Sequence, residues 1–366
     1  MESLFGFAPA ESMSGLVRTL DPIGGRGAVY ELDMLVLLMT LLACVHAART
    51  SQWPLVFSGL GLGFLVEHAS LRLGGTHCHQ SGMVDISECS SANSVVYYLP
   101  WVYGCVTISR RLMDDRSWAH PLVCGLCFFG MCGIYESQGP LMGWWLWPDT
   151  DMVVKAGSGV RQFGAMATDG RGLVASKHAF DALHTRVYGV PALAPYFHFA
   201  FGWGIATAFK LLSYRPSWRV ALLCVLGGPA IAMVWDVPIR VLRVLVGADQ
   251  AAAAQFLMCG SMAAVWLLGP ALKRGQTPDP LLFAIVLPNQ SYFVYNALFG
   301  RGADVLPPPL KLFVTGVAIA ATAAYGRGAG MWAATEAAPS VAEAVKGTPR
   351  KRAAAKGGKL KAKYSL

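Results

Sequence analysis

The stretch "LDMLVLLMTLLACVHAA", residues 32–48, decides the fold. It is an almost unbroken apolar run of seventeen residues. A helix gains about 1.5 Å per residue, so a run of this length approaches the roughly 30 Å hydrocarbon core of a bilayer. The rest of the chain repeats the pattern. Of its 366 residues 54% are hydrophobic and 14% are charged, with a mean hydropathy of +0.45. Soluble domains carry about 25% charged residues, so this chain lacks the polar groups to cover a water-facing surface. The solvent it is built for is lipid.

In hydrocarbon every backbone N–H and C=O must be paired within the protein, which leaves helices and closed barrels. The apolar runs here are continuous and lack the period-two alternation of barrel strands. The expected fold is therefore all-α, a polytopic transmembrane helix bundle. Nine spans are expected: Leu32–Ala48, Pro54–Leu71, Ser94–Ser109, Pro121–Tyr135, Leu193–Leu212, Val220–Val246, Ala253–Leu272, Pro280–Phe299 and Leu310–Tyr325. The ninth is the shortest in signal, and without it the count is eight. Three units follow: an N-terminal segment 1–30, a membrane domain 31–330 and a basic disordered tail 331–366. The first thirty residues lack a positive, then apolar, then small-residue order, so a cleaved signal peptide is not expected.

Positive charge sets an orientation. The odd-numbered connections carry Arg49, then Arg110, Arg111 and Arg116, then Arg215 and Arg219, then Lys273 and Arg274. The short even-numbered ones carry Arg72 and Arg301. The positive-inside rule then puts the C-terminus in the cytosol. The N-terminus, the 74–89 loop and the long connection 137–192 lie on the other side. Arg240 and Arg243 run against this order and are read as snorkelling from a helix end. Residues 346–366 hold eight basic side chains and no acid, against +9 for the whole chain, which leaves about +1 for everything else. Such a tail is attracted to anionic lipid headgroups. It lacks the interleaved aromatics of a nucleic-acid binder.

Ionisable residues within spans are costly and mark candidate sites. Glu67 and His68 close the second span, where Glu67 has His68 and Arg72 as possible partners. Glu136 closes the fourth, and Asp236 lies between Pro229 and Pro238 in the sixth. In "KHAFDALHTRVYG" (177–189), His178, Asp181 and His184 share one helical face, with His198 following in the fifth span. Two histidines and an acid on one face suit a divalent metal or a proton relay, and equally a polar face lying on the membrane surface. Asn289, Gln290 and Asn296 in the eighth span read as interhelical hydrogen-bonding residues or as the lining of a polar cavity. "WWLWP" reads as an interfacial aromatic belt or the cap of an apolar pocket. The "GGTHCHQSGMVDISEC" loop (74–89) resembles a metal site in composition, but His77 and His79 alternate sides in an extended chain. It is better read as a lid closed by Cys78 and Cys89, presenting one histidine inward. The remaining cysteines, including the Cys124–Cys127 CxxC, lie in apolar spans and read as small packing residues.

At "GTHCH…ECSSANSVVYYLPWVY", "YESQGPLMGWWLWPD" and "VYGVPALAPYFHFAFGWG" the chain resembles a eukaryotic family of uncharacterised multi-pass membrane proteins, a domain of unknown function, over about residues 30–300. The resemblance implies a membrane bundle and brings no catalytic residues. Over the two short fragments of "GP…WDVP" the chain is similar to membrane carotenoid hydratases. Its scattered histidines and acids are similar to those of alkaline ceramidase-type hydrolases without matching their ordered motif. Three functions are therefore expected to compete. The first is a lipid or small-amphiphile binder whose polar cavity is walled by Glu67, His68, Glu136, His184, His198 and Asp236. The second is an intramembrane metal-dependent enzyme acting on lipid or isoprenoid substrates, and the third a proton-coupled or ion transporter. The enzyme needs three of those side chains to converge, and the transporter a wet path past Asp236. The lid has its own check. Non-reducing mass spectrometry of the purified protein should show Cys78 linked to Cys89, and two free thiols there would contradict it.

Overall fold

A computed structural model of the chain describes residues 26–69, 78–79, 82–87, 90–113, 117–142, 144–146, 186–187, 190–191, 194–212, 217–232, 234, 237, 241, 244–245 and 277–331. Helix α1 (Arg26–Thr50) is followed by α2 (Trp53–Gly63), which continues as one π-helical turn, Phe64–Ala69. Next come α3 (Ala92–Val96), α4 (Tyr98–Leu112), α5 (Ala119–Glu136) and the single turn α6 (Gly139–Met142). Helices α7 (Ala194–Leu211), α8 (Trp218–Ala232), α9 (Pro280–Leu298) and α10 (Pro308–Gly328) complete the described set. Helix thus forms at every expected span but the seventh, which lies outside the described residues. Among the described residues, four helices are long and apolar enough to cross a membrane: Val29–Thr50 within α1, then α5, α9 and α10.

Prolines start several of these helices, because the first turn has no N–H to lose and φ is already set. Pro54, Pro280 and Pro308 all sit in first turns. At α9 the Asp279 carboxylate caps the helix by accepting from the Leu282 amide at 3.0 Å.

Burial then separates the helices. Of the apolar α5 window 89% is buried, against 39% for α1, 44% for α9 and 33% for α10. Helix α5 is therefore the centre, packed by α4, α7, α9 and α10. Helix α1 shows the outer type. Val29, Leu32, Val36, Met39, Ala43 and Ala47 face inward, while Met34, Leu37, Leu38, Leu41 and Val45 are exposed. Both stripes are apolar at helical spacing, a pattern compatible with protein on one side and lipid on the other.

Successive helices alternate in direction, as their end contacts record. At one end His46 meets Asp279, Arg111 reaches the carbonyls of Gly328 and Thr277, and Lys210 donates to the Ser117 carbonyl. At the other, Asp33 holds Asn93 and the Met83 amide, Gln138 bonds Asn296, and Glu136 meets His198. The first end carries the exposed indoles Trp53, Trp118 and Trp218, with Lys210 lying 5.0 Å from the Trp118 ring centroid.

Two expectations need correction. The described residues are mostly helical, but the connections form short antiparallel pairs: β1 (Cys78–His79) with β4 (Trp145–Leu146), β2 (Asp85–Ser87) with β3 (Ser90–Ser91), and β5 (Arg186–Val187) with β6 (Val190–Pro191). Trp144 and Trp145 are also no interfacial belt. Pairing of β1 with β4 folds them over the bundle end, where both are buried.

Glycines set how closely helices approach. A Cβ on Gly63 would lie 2.0 Å from the Val95 carbonyl oxygen, and one on Gly202 would lie 2.6 Å from the Phe128 Cβ. Gly316 faces open space. The Gly63→Ala variant is expected to lose about 1–3 kcal/mol of stability through overpacking against backbone. Gly316→Ala should be neutral or slightly stabilising, since alanine is the better helix former. Thermal unfolding in detergent checks the pair, and equal midpoints would contradict the packing described.

Candidate functional site

The site is built where α2, α4, α5 and α7 meet the β1 strand. The π-helical turn after α2 carries Glu67, and the close Gly63–Val95 contact sets that turn beside α4. Such turns often occur at functional positions. Tyr98, on the first turn of α4, donates its hydroxyl to Glu67 Oε1 at 2.8 Å. From β1, His79 lies with Nε2 3.0 Å from Glu67 Oε2. The expected partners, Arg72 and the His68 side chain, lie outside the described residues, and Glu67 takes a loop histidine and a tyrosine as partners. The strand pairing explains it, because His79 stands opposite Trp145 and is turned inward.

A second pair stands across Tyr98. Glu136 ends α5, and His198 lies in the first turns of α7, with Nε2 2.7 Å from Glu136 Oε1. Each residue is only 6% exposed. The small crossing of Gly125 and Gly202 holds α5 and α7 this close. Rings surround the imidazole: Phe128 is stacked at 6.2 Å between centroids, Trp101 at 6.2 Å, and Tyr98 at 6.5 Å. From Trp101 the rings continue through Tyr135 at 5.4 Å and Trp145 at 4.3 Å to His79 at 5.7 Å. One aromatic wall thus joins the two acid–histidine pairs.

Hydrogen bonding in this wall is incomplete. Among the described residues, Glu136 Oε2, His198 Nδ1 and the indole nitrogens of Trp101 and Trp144 are buried with no partner. A buried polar atom without a bond costs about 1–3 kcal/mol, more if charged. Four such atoms around one cluster mark a place for a ligand or ordered water.

The eighth-span amides are interhelical bonders, as expected. Asn289 accepts from Tyr97 at 2.5 Å and donates to the Met131 carbonyl, Gln290 donates to the Gly130 carbonyl, and Asn296 donates to Gln138. Cys44, Cys105, Cys124, Cys127, Cys132 and Cys224 are free thiols.

A further polar cluster lies at the opposite, basic end, and its members were not among the candidates. His46 Nε2 donates to Asp279 Oδ2 at 2.9 Å, and its Nδ1 is 2.5 Å from the Tyr103 hydroxyl. Thr50 donates to the His46 carbonyl and stands 3.2 Å from the same hydroxyl. With His46 neutral, Tyr103 donates to Nδ1. With it protonated, Nδ1 donates to Tyr103, whose proton turns to Thr50. Both states leave every proton with an acceptor. The cue was legible: His46 is an ionisable residue in an apolar span, and Asp279 directly before a proline is a helix-capping signature.

Of the predicted residues, the structure brings Glu67, Glu136 and His198 to one end. His178, Asp181, His184, Asp236, Cys89 and the side chains of His68 and Cys78 lie outside the described residues. Among the described residues no three histidines, cysteines or acids stand where they could hold a metal ion. No protein-family model, curated protein or solved structure matches the chain.

Partial burial pushes the Asp279 carboxyl up, but the His46 hydrogen bond, the Leu282 amide and the charges of His46 and Arg111 together hold it below its ordinary value of 3.8. A carboxyl lowered on folding adds stability that is present above its unfolded pKa and lost as pH falls through the folded one. Asp279→Ala should cost about 1–3 kcal/mol near neutral pH, from the lost cap and pairing. It should also flatten the acid limb of stability below pH about 4. Unfolding midpoints against pH check this, and an unchanged acid limb would contradict it.

Proposed function

We propose that this chain is a multi-pass membrane protein whose buried acid–histidine site receives the polar head of a lipid or other small amphiphile. One observation carries the reading: the Glu136–His198 pair is buried, yet each member keeps a polar atom with no partner among the described residues. Evenly partnered groups would be explained by structure alone. Unpartnered ones in an aromatic wall call for an occupant, and the apolar exterior of the bundle favours an amphiphile.

The membrane frame belongs to the same proposal. Nine spans are supported by helices at eight of the expected positions and by the alternation of their ends. An N-out, C-in orientation is supported by Arg49, Arg110, Arg111, Lys210 and Arg327, all of which fall at the end bearing the exposed indoles. The polybasic tail would then lie on the cytosolic side, against anionic headgroups. A metal-dependent enzyme draws no support from the described residues, since its three-ligand requirement is unmet there.

Native mass spectrometry on protein extracted in mild detergent is the test. Wild-type protein should retain a bound amphiphile, and His198→Phe, which keeps a ring but loses both nitrogens, should retain at least tenfold less. Equal retention, or no retained amphiphile in either, would overturn the reading.

A further inference from the structure

Resting on that reading, we infer that the head is neutral and bears a hydroxyl, so that the ligand is an amphiphilic alcohol and not a phospholipid, a fatty acid or a quaternary amine. The inference comes from matching donors to acceptors in the wall. An ionised Glu136 offers Oε2 as an acceptor only. His198 donates through Nε2 to Glu136 Oε1, so a neutral imidazole offers Nδ1 as an acceptor as well. Trp101 is the opposite case, since its indole N–H only donates, and its ring lies 6.2 Å from that of His198. All three atoms lack partners among the described residues. Together these atoms ask for a group that both donates and accepts.

Candidate heads separate on this demand. A phosphate or carboxylate accepts from Trp101 but faces the Glu136 carboxylate, with Glu67 held across Tyr98. Among the described residues the buried ionic side chains are Glu67, Glu136 and histidines, with no buried lysine or arginine to offset an anion. Two like charges at such range disfavour it. A quaternary ammonium has no N–H and leaves Glu136 Oε2 bare. A primary ammonium serves both acceptors but gives Trp101 nothing. A hydroxyl donates to Glu136 or His198 and accepts from Trp101. The rings of Tyr98, Trp101 and Phe128 close round the imidazole within 6.5 Å, which keeps the head small and leaves the apolar tail to run outward.

The test uses full-length protein in detergent and four probes with one tail: dodecan-1-ol, dodecyl phosphate, dodecanoate and dodecyltrimethylammonium. Binding is read as the shift of the unfolding midpoint with probe concentration. Dodecan-1-ol should bind at least tenfold more tightly than the other three. Trp101→Phe keeps an aromatic ring and removes the N–H, so it should weaken the alcohol about tenfold and leave dodecyltrimethylammonium, which cannot accept from an indole, unchanged, while Glu136→Gln should narrow the gap between alcohol and phosphate. Should the phosphate or dodecanoate bind best, the head-group inference falls while the amphiphile site stands. No saturable shift from any probe, with water alone filling the site, overturns both. An alcohol preference that Trp101→Phe leaves untouched also overturns the inference, because the hydroxyl would then be read elsewhere. A folded Trp101→Phe variant is confirmed by a single cooperative unfolding transition without probe.

Discussion

A carboxylate inside an apolar bundle must find a partner, and the rest of this structure is arranged around that requirement. Leaving one charge buried and alone costs several kcal/mol even after relaxation. Glu67 and Glu136 each meet an imidazole within 3.0 Å. Histidine suits the task because a ring N–H can donate to the carboxylate whether the imidazole is neutral or protonated. Satisfying these pairs fixes much else. The π-helical turn aims Glu67, the β1–β4 pairing turns His79 inward, and the glycines at 63, 125 and 202 let the helices come close enough. The partnering stops short at Glu136 Oε2 and His198 Nδ1, which costs stability.

Helix α4 ties this site to the opposite end. Tyr98 opens it at the acid–histidine wall, and Arg111 closes it near Asp279. Thirteen residues of helix separate them, roughly 20 Å at 1.5 Å per residue. Tyr103, between them, joins His46 on α1, so α1, α4, α9 and α10 are pinned together at the basic end. Helix α1 keeps an apolar face outward, compatible with a membrane bundle. The two polar clusters thus divide the work: one locks helix ends, and the other leaves bonding capacity open.

The bundle was legible in the sequence because continuous apolar runs of span length have few alternatives. Even the short Leu310–Tyr325 run proves to lie within a helix of 21 residues. Glu67, Glu136 and His198 were legible as ionisable residues in such runs, but their partners were not. His79 is twelve residues from Glu67, and His198 is sixty-two from Glu136, separations that only the folded connections bridge. Tyr98 and Trp101 looked like any packing aromatics. Trp144 and Trp145 pointed to the interface, where tryptophan is enriched, and it took a strand pairing of two residues to bury them. Among the described residues the exposed indoles, Trp53, Trp118 and Trp218, are far apart in the sequence and gave no cluster to notice. His46 went unmarked because one histidine in a run of leucines resembles a tolerated exception until Asp279 is seen beside it.

The central claim is that the Glu136–His198 pair opens onto an occupant. A cryo-EM map of the protein in lipid nanodiscs, resolved well enough to place side chains, tests it most directly. The account predicts elongated non-protein density whose polar end lies within hydrogen-bonding distance of Glu136 Oε2, His198 Nδ1 and the Trp101 indole nitrogen. A map in which protein side chains fill those positions, or in which a lone water does, would contradict it.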